Sequence, residues 1–186
     1  MIEVDQLSKR FGPITALDGL SFAVRPGHVT GFLGPNGAGK TTTMRIILGL
    51  YAPTSGTALV GGRRYQGIIR PLHQVGALLD ANAVHPGRTA YHHLLSIAQS
   101  NGIGRRRVSE MLQLTVMDAV AHRRGGDFSL GMKQRLGIAT ALLGDPPVLM
   151  FDEPAGGLDT EGIHWIRQLF KSLAGEGRTV FVSSHL

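Results

Sequence analysis

A chain of 186 residues, 42% hydrophobic and 17% charged, has enough apolar surface for one folded domain with a sizeable core; a disordered or fibrous chain is excluded. The formal net charge is +6, and zero cysteines exclude disulfides and thiolate metal sites. No apolar run approaches the ~20 residues needed to cross a bilayer, and the opening residues, with Glu3 and Asp5, lack a secretion signal, which predicts a cytosolic location.

In chain order, Met1 to Val4, Ile14 to Leu17 and Leu20 to Val24 are short apolar runs with polar breaks, predicting a small antiparallel β element. Val29 to Leu33 is a further strand. It runs into Gly34-Pro35-Asn36-Gly37-Ala38-Gly39-Lys40-Thr41, which fills every fixed position of the pattern G-x-x-x-x-G-K-[ST], with Thr42 following. Thr43 to Leu50 predicts a helix. A strand before and a helix after distinguish a phosphate loop from an accidental glycine-rich turn. The glycines let main-chain N–H groups close around phosphate oxygens with no Cβ in the way. Lys40 would place a positive charge on the β- and γ-phosphates, and the Thr41 hydroxyl would ligate Mg²⁺. These residues predict that the chain binds a nucleoside triphosphate.

Pro53-Thr54-Ser55-Gly56 is a turn, Thr57 to Val60 a short strand, Gly61-Gly62 another turn, and Val75 to Leu79 a strand. A helix-rich insert follows, spanning about residues 81–145. Tyr91, Leu94, Leu95 and Ala98 share one helical face, as do Val108, Met111, Leu112 and Thr115, and then Met132, Leu136, Ala139 and Leu143. Val148 to Phe151 is a buried strand, Ile163, Ile166, Phe170 and Leu173 mark a further helix, and Thr179 to Val182 a last strand. Alternating strands and helices predict an α/β fold, a mostly parallel sheet with helices on both faces.

The strand Val148 to Phe151 delivers Asp152-Glu153 at its C-terminal end. Beside a phosphate loop, Asp152 would hold Mg²⁺, and Glu153, expected on the opposite side of the strand end, could polarise the attacking water. Phe128-Ser129-Leu130-Gly131-Met132-Lys133-Gln134-Arg135 opens a helix, where Ser129 and Gly131 make either an anion site or a simple N-cap. Arginines cluster at Arg63-Arg64, Arg105-Arg106-Arg107 and Arg123-Arg124. They would attract anionic lipid or nucleic acid, or form a solvated surface. Short, scattered clusters without interleaved aromatics point to the solvated surface.

The ordered set GPNGAGKTT, FSLGMKQR, VLMFDEP, Gly157-Leu158-Asp159 and Ser183-Ser184-His185 resembles the ATP-binding subunit of ABC transporters over nearly the whole chain. The resemblance implies an adenine-stacking role for Phe11. It implies a signature motif at Ser129 and Gly131, a D-loop carboxylate at Asp159, and a γ-phosphate contact at His185. Two departures stand out: Leu130 and Met132 replace residues of the usual LSGGQ, and Asp80 stands where a metal-side Gln is usual. Both are similar to the bacitracin and daunorubicin export branch.

Several further expectations follow from the resemblance. Two such domains would sandwich two ATP molecules head to tail, with Lys40, Thr41, Asp152 and Glu153 of one facing Ser129 and Gly131 of the other. The pair would drive a transmembrane permease at the inner face of the membrane, with no nucleic acid involved. The segment Asp80 to Gly104, with Val84, Tyr91, Leu94 and Leu95, is the expected permease contact. Rival readings are a soluble ABC ATPase acting on ribosome or DNA, or a truncated, non-hydrolysing remnant. Relatives continue beyond Leu186: if the natural product ends there, its final strand is expected to lack a partner, and a truncated record of a longer protein fits equally well.

Overall fold

A computed structural model describes residues 1–185; Leu186 lies outside them. The three short opening strands are in fact two long ones, β1 (Ile2–Phe11) and β2 (Ile14–Val24), paired antiparallel from Ile2↔Val24 to Phe11↔Ile14. The polar residues that read as breaks are absorbed by register shifts between Val4 and Leu7, Leu7 and Lys9, and Lys9 and Arg10. Gln6 at the first shift has φ +45°. Such bulges let a strand carry a stray residue without ending.

The second sheet is built from β3 (Val29–Leu33), β5 (Val75–Leu78), β6 (Val148–Phe151) and β7 (Thr179–Ser184), all parallel, in the order β3-β7-β6-β5. A further strand, β4 (Ser55–Val60), completes the antiparallel sheet, ordered β2-β1-β4. The expectation of an unpartnered final strand fails. β7 lies between β3 and β6, because parallel strands joined by crossovers need not keep chain order. The edge strands are β3 and β5, and on β3 Val29 and Leu33 are exposed.

Side-chain alternation along the parallel strands divides the interior into two cores. Val75, Val148, Met150 and Phe181 face one way, toward helix α1 (Lys40–Ile47) and the antiparallel sheet. Leu78, Leu149, Phe151 and Val180 face the other way, toward α2 (Ala90–Ser100), α3 (Arg105–Leu114), α4 (Leu130–Leu142) and α5 (Thr160–Gly175). One face is therefore covered by a helix and a sheet together rather than by helices alone. The predicted helical faces do point inward: Leu94, Ala98, Val108, Leu136 and Ala139 are fully buried.

The helix after the phosphate loop starts at Lys40, three residues before the expected Thr43, because Gly39 in the left-handed region already serves as its N-cap. Arg107 of the triple-arginine run is not free surface charge. It donates to the Leu142 and Leu143 carbonyls at the end of α4 and pairs with Asp145, a favourable place for a cation at a helix C-terminus. Among the described residues no helix is long and apolar enough to cross a membrane.

Phe151 is fully buried and stacks on Phe170 of α5 with ring centroids 4.7 Å apart. Phe151→Ala is expected to cost about 3–5 kcal/mol through lost burial and the cavity left behind. Urea denaturation checks this.

Candidate functional site

The loop from Gly34 to Gly39 leaves the end of β3 and turns into α1, its start pinned where the Gly34 N–H donates to the Ser184 carbonyl. Gly39 has φ +84°, and an added Cβ there would lie 2.5 Å from a Leu17 methyl and 2.7 Å from the Ala16 carbonyl oxygen. Only glycine lets the chain turn this tightly into the helix. Among the described residues no protein acceptor takes the N–H groups of Gly37, Gly39, Lys40 and Thr41. A row of free amides at a helix N-terminus is an anion-binding arrangement. Lys40, 6% exposed, donates to the Gly34 and Pro35 carbonyls and stands 3.6 Å from Glu153.

The cleft they form, about 200 Å³, is lined by Asn36, Gly37, Gly39, Lys40, Thr41, Thr42, Ala16 and Glu153. Of the two expected carboxylates, Glu153 lines it and Asp152 lies behind Thr41. Thr41 Oγ1 donates to Asp152 Oδ2 at 2.5 Å, and the Ser183 hydroxyl donates to Asp152 Oδ1. Glu153 does not turn to the opposite side of the strand end. The ladder of β6 stops at Phe151, and Glu153 takes φ +48°, so pleat alternation no longer applies and its carboxylate returns toward Lys40. His185 Nδ1 lies 2.7 Å from Glu153 Oε2. Two residues with no assigned role hold this corner. Ser183 Oγ accepts from the Glu153 N–H at 3.0 Å, and Gln134 Nε2 donates to the Glu153 carbonyl at 3.2 Å. The sequence does not single out Ser183, because Thr179 and Ser184 of the same strand also carry hydroxyls.

The family profile described as ABC transporter matches residues 17–156. The chain belongs to the ABC transporter family, as an ATP-binding domain. It is 41% identical over 189 residues to the bacitracin transport ATP-binding protein BcrA of Bacillus licheniformis, covering 100% of this chain and 62% of BcrA. It is 34% identical to the lantibiotic transport ATP-binding protein SrtF of Streptococcus pyogenes, covering 100% of this chain and 80% of SrtF. The dimeric ATP-binding cassette MJ0796, solved in a post-hydrolysis state with ADP and Pi, superposes with a TM-score of 0.90 at 26% identity, covering 100% of this chain and 88% of that one. This ABC domain thus spans about 62% of the length of BcrA.

The remaining family positions of this ABC domain are dispersed. Phe11, at the end of β1, is 42% exposed, edge-on to Tyr51, with Lys9 Nζ 4.8 Å from its ring centre. Ser129 caps α4 by accepting from the Met132 N–H, and Asp159 caps α5 by accepting from the Gly162 N–H. A Cβ on Gly131 would lie 2.7 Å from the Gly157 carbonyl oxygen, so the start of α4 meets the loop ahead of α5 backbone to backbone there. Neither Ser129 nor Gly131 lines the cleft. Asp80 does not line it either; its carboxylate accepts from the Asn82 N–H and closes its own turn.

Asp80 instead borders an apolar groove of about 410 Å³ lined by Leu50, Leu79, Val84, His93 and Ile97 among others. Of the residues expected to meet a permease, Val84 lines this groove, whereas Leu94 is interior and Tyr91 and Leu95 pack against the core. They face inward because the same helical stripe that looked like a contact surface is what anchors α2. The His93 imidazole has a buried Nδ1 with no partner. Burial, and secondarily Arg88, holds its pKa below the ordinary value. Protonation is then easier in the unfolded chain, so the stability His93 contributes is full above the unfolded value and is lost as pH falls through that window. His93→Leu is expected to gain thermal stability relative to the parent chain progressively as pH falls below the ordinary histidine range. Paired melting curves measure this, and a constant gap contradicts it.

Proposed function

We propose that this ABC domain binds Mg·ATP and hydrolyses it, and that the hydrolysis drives a membrane permease. The observation that carries this is the convergence of Lys40, Thr41, Asp152, Glu153 and His185 on one corner beside a row of free main-chain amides. The cleft is sized for a phosphate chain and leaves the base to lie outside it. Thr41 and Asp152 offer oxygen donors alone, the set that suits a hard divalent cation taking its other ligands from phosphate and water. They would hold Mg²⁺, which when bound neutralises charge developing on the phosphates.

The chain's own residues divide the remaining work. The amides from Gly37 to Thr41 and the Lys40 ammonium orient the phosphate tail. Glu153, beside Lys40 at the cleft wall, accepts a proton from the attacking water, and His185 holds its outer carboxylate oxygen in place. Ser129 and Gly131 lie away from this cleft, which supports a head-to-tail pair in which each chain closes the other's site. The apolar groove beside Asp80 and Val84 is the proposed seat for a permease segment at the inner face of the membrane. Similarity to bacitracin and lantibiotic transport proteins, and to a Nod factor export protein of Paraburkholderia xenovorans, supports export of a drug, peptide antibiotic or lipid-like cargo.

Glu153→Gln keeps the shape of the side chain and removes the base. It is expected to bind ATP as the parent chain does while turnover falls by roughly 10² or more. Phosphate release and calorimetry measure the two quantities separately. Unchanged hydrolysis removes Glu153 from the mechanism.

A further inference from the structure

We infer that Ser183 and Gln134 are positioning residues that clamp Glu153 in its left-handed backbone conformation and so aim its carboxylate; this rests on the hydrolytic role proposed for Glu153. A glutamate at φ +48° keeps that conformation only where its surroundings impose it. Here the strand ladder has already ended, and side chains from two other elements hold the main-chain groups flanking the Glu153 Cα, whose carbonyl also accepts from the Gly156 N–H within its own turn. Ser183 on β7 takes its N–H at 3.0 Å, and Gln134 on α4 donates to its carbonyl at 3.2 Å.

Each clamp is oriented by its own surroundings. Ser183 is fully buried and gives its only proton to Asp152, so the oxygen facing Glu153 must accept. One hydroxyl thereby sets the relation between the two carboxylates. Gln134 is 6% exposed, and its Oε1 is buried with no partner. A buried acceptor left unpaired is unfavourable and calls for an explanation. Turning the amide over would relieve nothing, because it would set an oxygen against the Glu153 carbonyl. Neither residue lines the cleft, so neither touches the phosphates. Because Gln134 follows Gly131 by one turn of α4, the clamp also ties the segment proposed to face the second chain to the proposed base.

The test compares the 186-residue chain with Ser183→Ala, Ser183→Thr and Gln134→Met, reading kcat and KM for ATP hydrolysis, calorimetric ATP affinity, melting temperature and amide exchange at Glu153. Gln134→Met, which leaves Asp152 untouched, is expected to lower kcat about tenfold or more while ATP affinity moves less than about threefold; Ser183→Ala also strips a hydrogen bond from Asp152 and is expected to lower both. Ser183→Thr, which keeps the hydroxyl, should restore kcat to within about threefold. Unchanged kcat in both deletion variants overturns the clamp, and so does a loss of affinity in Gln134→Met that matches its loss of kcat. If Ser183→Ala does not fold, Gln134→Met decides alone. If the parent chain hydrolyses nothing, the hydrolytic reading fails by itself and exchange at Glu153 still decides the clamp. Exchange about tenfold faster in the variants supports it, and equal rates overturn it.

Discussion

The Asp152 carboxylate is the constraint on which the rest of the site depends. It is 8% exposed, and a buried carboxylate is costly unless hydrogen bonds replace its water. Two hydroxyls do so, Thr41 from the first turn of α1 and Ser183 from the end of β7. Charge-assisted bonds of this kind are roughly twice as strong as neutral ones. They fasten a helix and two strands to one point. The phosphate loop, lying between β3 and α1, therefore cannot drift relative to the carboxylates without leaving a buried charge unsatisfied.

Strand order explains which residues meet there. Ligands of open parallel sheets collect beyond the C-terminal ends of the strands. With the order β3-β7-β6-β5, the loop after β3, Ser183 and His185 at β7, and Asp152 and Glu153 after β6 are consecutive neighbours. β5 lies on the far side of β6, so Asp80 at its end is two strands removed from β7 and three from the phosphate loop. The same topology that gathers the catalytic candidates moves Asp80 to the rim of the apolar groove.

What the sequence discloses, and what it withholds, follows from where each constraint is written. The phosphate loop is legible because its requirement falls on the main chain: Gly39 must turn through a conformation with no room for a Cβ, and only one residue type meets it. Strand β6 is legible to the residue because four buried apolar positions between polar turns leave no other reading. Strands β1 and β2 are not, since bulges absorb the polar residues that look like breaks. The position of β7 is equally hidden, because crossover connections leave neighbour order open. Pleat alternation misplaces Glu153 for a related reason: its left-handed backbone lies beyond the ladder, where Ser183 and Gln134, remote in sequence, hold it.

The division of the family motifs between two faces has a physical consequence for the proposed dimer. The cleft has amides, an ammonium and the Glu153 carboxylate on its own side, while the capped helix starts at Ser129 and Asp159 lie elsewhere, Gly131 of the first packed against Gly157 in the loop ahead of the second. A phosphate tail in the cleft would be gripped along one flank and open to water on the other. Electrostatic stabilisation weakens sharply in a solvated site. A second chain laying its α4 start over that flank would exclude water and add a helix dipole of the favourable sign. In that arrangement the Gln134 to Glu153 bond carries a mechanical load. Pressure on the start of α4 in one site reaches the proposed base of the other through a single buried amide.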